Sequence, residues 1–302
     1  AQNSAANAET WEWDGTNWAE RLVNGPSARS FHEMAYDTAR GVTVLFGGFT
    51  GSGPVGDTWE WNGSDWTERA VTGPSARLGH AMAFDTARGV VVLFGGNTNA
   101  GPSGETWEWN GVQWTERVVS GPPARGRAAM AYDSDRGVTV LFGGYRDSTL
   151  YDTWEWDGSA WAQRASSVSL ARYHHCMAYD AVRGVTVLFG GERPGPPIGN
   201  DTWDWNGVVW TEQAVSGPTR RYSHAMVYDS RRGVAVTFGG NEIFNDETWE
   251  LGAGPWITSQ PQGQTLCPGG SGIFTVGAAG AGALSYQWQK NSVNLTNTGH
   301  YS

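Results

Sequence analysis

The chain has 302 residues, with 18 Trp, 43 Gly, 20 basic against 30 acidic side chains and a formal net charge of −10. Lys290 is the only Lys, and no basic stripe exists that could neutralise a phosphate backbone, which argues against nucleic-acid binding. No apolar run approaches the roughly 20 residues that a membrane-spanning helix needs. The two cysteines, Cys176 and Cys267, form no metal or redox motif.

Residues 1–9 match, in length and character, the loops that follow later Gly-Gly doublets. This predicts that the chain starts just after such a doublet and is a piece of a longer protein, so the lack of a signal peptide carries no weight. A motif then begins that dominates the sequence. Asp57-Thr-Trp-Glu-Trp-Asn-Gly63 recurs nearly letter for letter at Glu9–Gly15, Glu105–Gly111, Asp152–Gly158 and Asp201–Gly207, and in shortened form at Glu247–Leu251. Trp18, Trp66, Trp114, Trp161 and Trp210 each follow the second Trp of a pair by five residues. A period of this kind marks a repeat architecture and has to be read before any single-copy motif.

One unit runs from about Arg29 to Val71. His32–Asp37 alternates and reads as a first strand; Asp37-Thr38-Ala39-Arg40-Gly41 reads as a turn. Val42–Phe46, β-branched and apolar, reads as a buried strand closed by Gly47-Gly48. A variable loop leads to the third strand, Thr58–Trp61, then a tight turn at 62–65 and a fourth strand, Trp66–Arg69. Doublets ending at Gly48, Gly96, Gly144, Gly191 and Gly240 are spaced by 48, 48, 47 and 49 residues, with no helical periodicity between them.

Arg-x-x-His, a strand ending in Phe-Gly-Gly and a downstream Trp pair resemble kelch repeats over residues 1–257. The resemblance implies an all-β fold: a β-propeller of four-stranded antiparallel blades around a channel, first strand innermost. Five blades are nearly complete, at about 29–71, 77–119, 125–165, 172–215 and 221–257. Residues 9–22 supply two outer strands. They either complete the last blade of five or belong to a separate blade of six or more; Thr248–Glu250 already fills the third strand of the last blade, which favours six. Residues 258–302 resemble the front half of a bacterial immunoglobulin-like domain. Leu266-Cys267-Pro268 and Tyr286-Gln287-Trp288 carry that resemblance, with strands expected at Ile273–Val276 and Ser285–Lys290. It implies that Trp288 is the buried tryptophan and that the disulfide partner of Cys267 lies beyond Ser302.

Trp59 and Trp61 share one face of a strand, so the repeat predicts that they pack between blades, each contributing up to roughly 4–6 kcal/mol. Glu60 points to the opposite face and requires a cation. The candidates are the Arg residues that open each first strand: Arg29, Arg77, Arg125, Arg172 and Arg221. His32, His80, His175 and His224 share a register that Ala128 breaks, which predicts a structural position and no metal. Cys176 is expected to be a free thiol in a strand.

Positions that differ between units are the candidates for recognition. They fall in the loops between second and third strands and in the two residues after each first-strand Arg. Together they predict an aromatic and charged rim of Phe31, Arg127, Tyr145, Arg146, Asp147, Tyr151, Tyr173, His174, Glu192, Arg193 and Tyr222. The expectation is an extracellular, monomeric, non-catalytic module that needs no cofactor and binds a glycan or protein partner. The alternatives are a structural spacer and a copper-radical oxidase resembling galactose oxidase, suggested by Arg172-Tyr173-His174-His175. Such enzymes also need a Tyr cross-linked to Cys, a second Tyr ligand and a further His.

Overall fold

The computed structural model describes residues 7–167, 170–195, 198–215, 217–240, 246–252, 256–259, 273, 275–279, 289–290 and 293–294. Among them the fold is all-β. Four antiparallel four-stranded sheets follow in chain order. The first holds Glu33–Asp37, Val42–Phe46, Thr58–Trp61 and Trp66–Arg69; the second Ala81–Asp85, Val90–Phe94, Thr106–Trp109 and Trp114–Arg117. The third holds Ala129–Asp133, Val138–Phe142, Asp152–Trp156 and Trp161–Ser166; the fourth Cys176–Asp180, Val185–Phe189, Thr202–Trp205 and Trp210–Gln213. A fifth sheet has three strands, Ala225–Asp229, Val234–Phe238 and Thr248–Gly252. Thr10–Trp13 and Trp18–Arg21 form a separate two-stranded sheet and do not join the fifth.

Each sheet packs face to face on the next. In the second sheet Met82, Phe84, Val91, Leu93, Trp109 and Trp114 form one buried cluster with Ala35, Val44 and Phe46 of the first. Two tryptophans lock each of the three interfaces between the four-stranded sheets. The fourth-strand Trp donates Nε1–H to a Thr hydroxyl of the preceding sheet: Trp114 to Thr58, Trp161 to Thr106 and Trp210 to Thr153, each at 2.9 Å. The second Trp of the third strand donates to the carboxylate of the preceding sheet, as Trp109 does to Glu60 at 3.0 Å and Trp156 to Glu108 at 3.1 Å. The two-stranded sheet repeats these contacts on both of its sides. Trp66 of the first sheet bonds Thr10 at 2.8 Å, and Trp18 bonds Thr248 of the fifth at 2.7 Å. The short sheet therefore lies between the last sheet and the first.

The charge pairing differs from the sequence expectation in one respect. Glu60 is buried and structural, but its cations are Arg40 of the first turn (2.6 Å) and Arg69 of the fourth strand (2.8 Å to Nε). The first-strand arginines instead reach the acid that precedes each Thr-Trp: Arg29 to Asp57, Arg77 to Glu105, Arg125 to Asp152, Arg172 to Asp201 and Arg221 to Glu247. The reason is position along the strand. Arg77 enters beside the Gly-Gly doublet, bonding the Gly95 carbonyl at 2.9 Å, at the end of the sheet where Glu105 begins the third strand. The first turn lies at the other end, where Asp37 accepts from the backbone N–H of Ala39 and Arg40 and from Arg40 Nε. Arg40 is thereby aimed at Glu60.

The Gly-Gly doublet is required by both conformation and space. Gly95 and Gly96 have φ of +72° and +94°, and a Cβ on them would lie 2.5 Å from the Arg125 carbonyl oxygen and 2.9 Å from His80 Cβ. Gly96→Ala is expected to destabilise the protein by about 2 kcal/mol or more, read in a urea melt.

In the C-terminal region Trp256–Ser259 pairs with Gly277–Ala279, and Gln289–Lys290 with Val293–Asn294. The strand expected at Ile273–Val276 is displaced. Ile273, Thr275 and Val276 are outside any ladder, which starts at Gly277. β-Propensity reports how a side chain packs and does not fix where a ladder begins. Cys267, Trp288 and the Ser285–Trp288 part of the other expected strand lie outside the described residues.

Candidate functional site

The two variable sets meet through the backbone. The residue after each first-strand Arg pairs antiparallel with the residue after the Gly-Gly doublet: Ser30 with Phe49, Leu78 with Asn97, Gly126 with Tyr145, and Tyr173 with Glu192. One residue further on, Phe31, Gly79, Arg127, His174 and Ser223 all adopt the left-handed conformation, with φ between 53° and 60°. Only one of the five is glycine, so four side chains are held where L-residues are disfavoured, at a cost of about 1 kcal/mol or more each. A belt of main-chain hydrogen bonds compensates. Gly79 N–H donates to Phe31 O (2.9 Å), Arg127 to Gly79 (2.6 Å), His174 to Arg127 (3.0 Å) and Ser223 to His174 (2.9 Å). The belt stitches five successive sheets at the entrance to their first strands, and it turns these side chains toward one another.

His174 is the centre of the resulting cluster. Its ring stacks on Phe31 (centroids 5.7 Å, 14° between planes) and on Tyr222 (6.1 Å, 19°), residues supplied by the first and fifth sheets. Tyr173 lies 5.2 Å from His174 and 5.2 Å from Tyr145, with the Arg127 guanidinium 6.0 Å from its ring centroid. Glu192 ties the group together, accepting from Tyr173 Oη and meeting His174 Nδ1, each at 2.8 Å. An ionised carboxylate can only accept, so Nδ1 carries the proton and Nε2 is left as an acceptor. That Nε2 is buried and has no partner among the described residues.

Burial lowers the His174 pKa, the Glu192 hydrogen bond opposes that, and the Arg127 charge adds to the lowering. The imidazole is therefore neutral at pH 7. Burial, followed by the bond to Glu192, pushes the Tyr173 phenol up to about 12. Glu192→Gln is expected to lower the His174 pKa further, since it removes the groups that favour the imidazolium; an NMR titration of the ring protons reads this directly.

Seven of the eleven residues read from sequence belong to this cluster. Four do not. Arg193 reaches Asp201 and joins the structural pair of Arg172. Arg146 and Asp147 pair with each other at 3.4 Å on the exposed loop. Tyr151 is exposed at the base of the same loop. Sequence reasoning did not weigh Glu33, although it stands in a slot that otherwise holds Ala81, Ala129, Cys176 and Ala225. Burial raises its carboxyl to about 8, and its charge is felt by Cys176, whose thiol is itself pushed up by burial and donates to the His224 carbonyl.

His80, His175 and His224 are buried, each packed edge-on against the Phe that closes the preceding sheet's second strand. Among the described residues no group of three His, Cys, Asp or Glu is arranged to hold a metal ion. A concavity of about 470 Å³ also lies between the Thr98–Glu105 loop and Glu116–Val119. Its Glu105 is bonded to Arg77 and Trp107. No protein-family model matches the chain, and no curated protein matches it.

Proposed function

We propose that the chain is a kelch-type, six-unit β-propeller that serves as a non-catalytic, extracellular binding module, with its ligand seated at the channel mouth on the Phe31–Arg127–Tyr173–His174–Tyr222 cluster. The propeller reading is supported by the recurrence of one inter-sheet contact set from the first sheet to the fourth and, through the Thr10–Arg21 hairpin, from the fifth to the first. Residues 258–302 are read as the opening of an immunoglobulin-like domain.

The observation that carries the binding reading is the unsatisfied chemistry at the mouth. Arg127 has no carboxylate within ion-pair distance among the described residues, and His174 Nε2 is an acceptor without a donor. Aromatic faces surround both. A buried polar group such as Nε2 left unpaired costs free energy, and a ligand that presents a hydroxyl or N–H to it recovers that cost while offering an oxygen to the Arg127 guanidinium. Glycans and extended peptides both offer such groups. Screening the full chain on a glycan array and a peptide array distinguishes them. Selective binding to one class supports the reading, and two blank arrays for folded protein refute it.

The oxidase alternative fares less well on its own residues. The Tyr173 hydroxyl is committed to Glu192 and the Cys176 thiol to a main-chain carbonyl.

A further inference from the structure

On the second, third and fourth sheets the mouth has two chemically different ends. Arg127 forms one. The arginines that open the first strands all hold a carboxylate, Arg125 included. Half-buried Arg127, two residues further on, holds none among the described residues. Two glycines shape its surroundings. A Cβ on Gly79 would lie 3.4 Å from Arg127 Cγ, and one on Gly126 would lie 2.5 Å from Asn97 Nδ2. Bare main chain at these positions leaves room for the Arg127 stem and lets the Asn97 carboxamide come in beside residue 127. Glu192 forms the other end. Its side chain is 29% exposed, with one oxygen on Tyr173 and the other on His174, and the remaining lone pairs can accept from hydroxyls. Tyr173 lies between the two ends, against Tyr145, whose ring is 38% exposed.

The main chain around these side chains is already engaged. The N–H and C=O of Gly126, Arg127, Tyr145, Tyr173 and Glu192 are all bonded within the belt and its bridges. A peptide that binds by main-chain pairing therefore finds no unpaired donor here. What stays open is side chain: aromatic faces, an amide, a guanidinium and a carboxylate. A guanidinium without a counter-charge favours a carboxylate, held by charge-assisted hydrogen bonds. The exposed Tyr145 ring offers an apolar face to the C–H side of a sugar. The chain's net charge of −10 gives polyanions no general attraction, so a preference for an acidic ligand comes from this one cation.

Resting on the reading of the mouth as a binding site, we infer that this part of it is a subsite for a uronic acid residue of a glycan. The carboxylate sits on Arg127 and Asn97, the ring face on Tyr145, and hydroxyls from the far side of the ring on Glu192. A sugar acid fits this polarity because its carboxylate and its ring hydroxyls project from one rigid frame in different directions. A neutral sugar leaves the guanidinium without a counter-charge. An acidic peptide side chain supplies the charge without the hydroxyls.

The test is calorimetry on the full chain, with melts alongside, using short oligosaccharides of galacturonic and of glucuronic acid. Their methyl esters, the matching neutral oligosaccharides and a Glu-rich peptide serve as comparisons. One of the acids is expected to bind saturably, and its methyl ester at least tenfold more weakly. Arg127→Gln should bring acid and ester to within about twofold of each other. Tyr145→Ala should weaken both alike and leave their ratio unchanged, which separates the charge contact from the stacking contact. An ester or neutral sugar that binds as tightly as its acid overturns the inference and leaves the mouth a glycan site. Binding of the peptide alone overturns it and leaves the mouth a protein site. An acid preference that survives Arg127→Gln overturns it by assigning the cation elsewhere. Silence toward every probe from folded chain overturns it as well, and the array screen then decides whether the mouth binds anything.

Discussion

Lowering the pH from 7 to 5 is expected to cost the fold about 4 kcal/mol or more, and the buried histidines are the cause. Burial, with Arg77 and Arg221 adjacent, holds His80 and His224 at about 3, and burial with Arg172 holds His175 well below its ordinary value. In the unfolded chain each titrates near 6.5. The folded state therefore binds the proton more weakly, and stability is full above 6.5 and lost as pH falls from there toward 3. Each His contributes a slope of about 1.4 kcal/mol per pH unit, so three lose about 6 kcal/mol between pH 7 and 5. His32, held near 4 by burial and Arg29, acts in the same direction. Glu33 opposes it: its carboxyl is raised to about 8, so acidification relieves a penalty there, by about 2 kcal/mol over the same interval. Urea melts at the two pH values measure the difference, and equal stabilities would contradict the assignment. Ala128 already occupies this register in the third sheet, so His80→Ala should flatten the acid slope by about a third whatever it does to stability at pH 7.

Arg125→Ala is expected to destabilise the protein by about 4 kcal/mol and to lower Tm by roughly 8–16 °C. Arg125 is 1% exposed, and its guanidinium satisfies the Pro123 and Gly143 carbonyls and both oxygens of Asp152. Removing it leaves two acceptors and a largely buried carboxylate without their donor, and a large cavity. Asp152→Ala combined with Arg125→Ala should cost clearly less than the sum of the two single changes, since the second removes the charge that the first strands. Additive costs would show that the pair is not coupled.

The fold was readable because the repeat states each requirement five times. Trp at two fixed places, Gly-Gly after Phe, and Asp-x-x-Arg-Gly at the turn each have a single physical reason, and the structure uses each in that sense. The pairing of Glu60 was not readable. The sequence pointed to the arginine that opens each first strand, and only the direction given to Arg40 by the Asp37 cap, with Arg69 on the neighbouring strand, shows that other arginines reach Glu60. At the candidate site, aromatic and charged residues at non-repeating positions included the seven that the structure brings together, and the backbone ladder explains why they converge. Arg193 entered the predicted rim because it lies in a variable loop, and that position does not reveal that its side chain turns to Asp201. The left-handed belt was hidden because Phe, Arg, His and Ser at a φ near 55° carry no sequence mark; only Gly79, in the same place, hinted at it.

The claim that the mouth cluster recognises a ligand is tested most directly by calorimetry of wild type and Arg127→Ala against the strongest array ligand, with melts of both proteins alongside. Arg127 belongs to no ion pair among the described residues, so its loss should leave Tm within about 2 °C while weakening binding at least tenfold. Unchanged affinity in the variant would contradict the account.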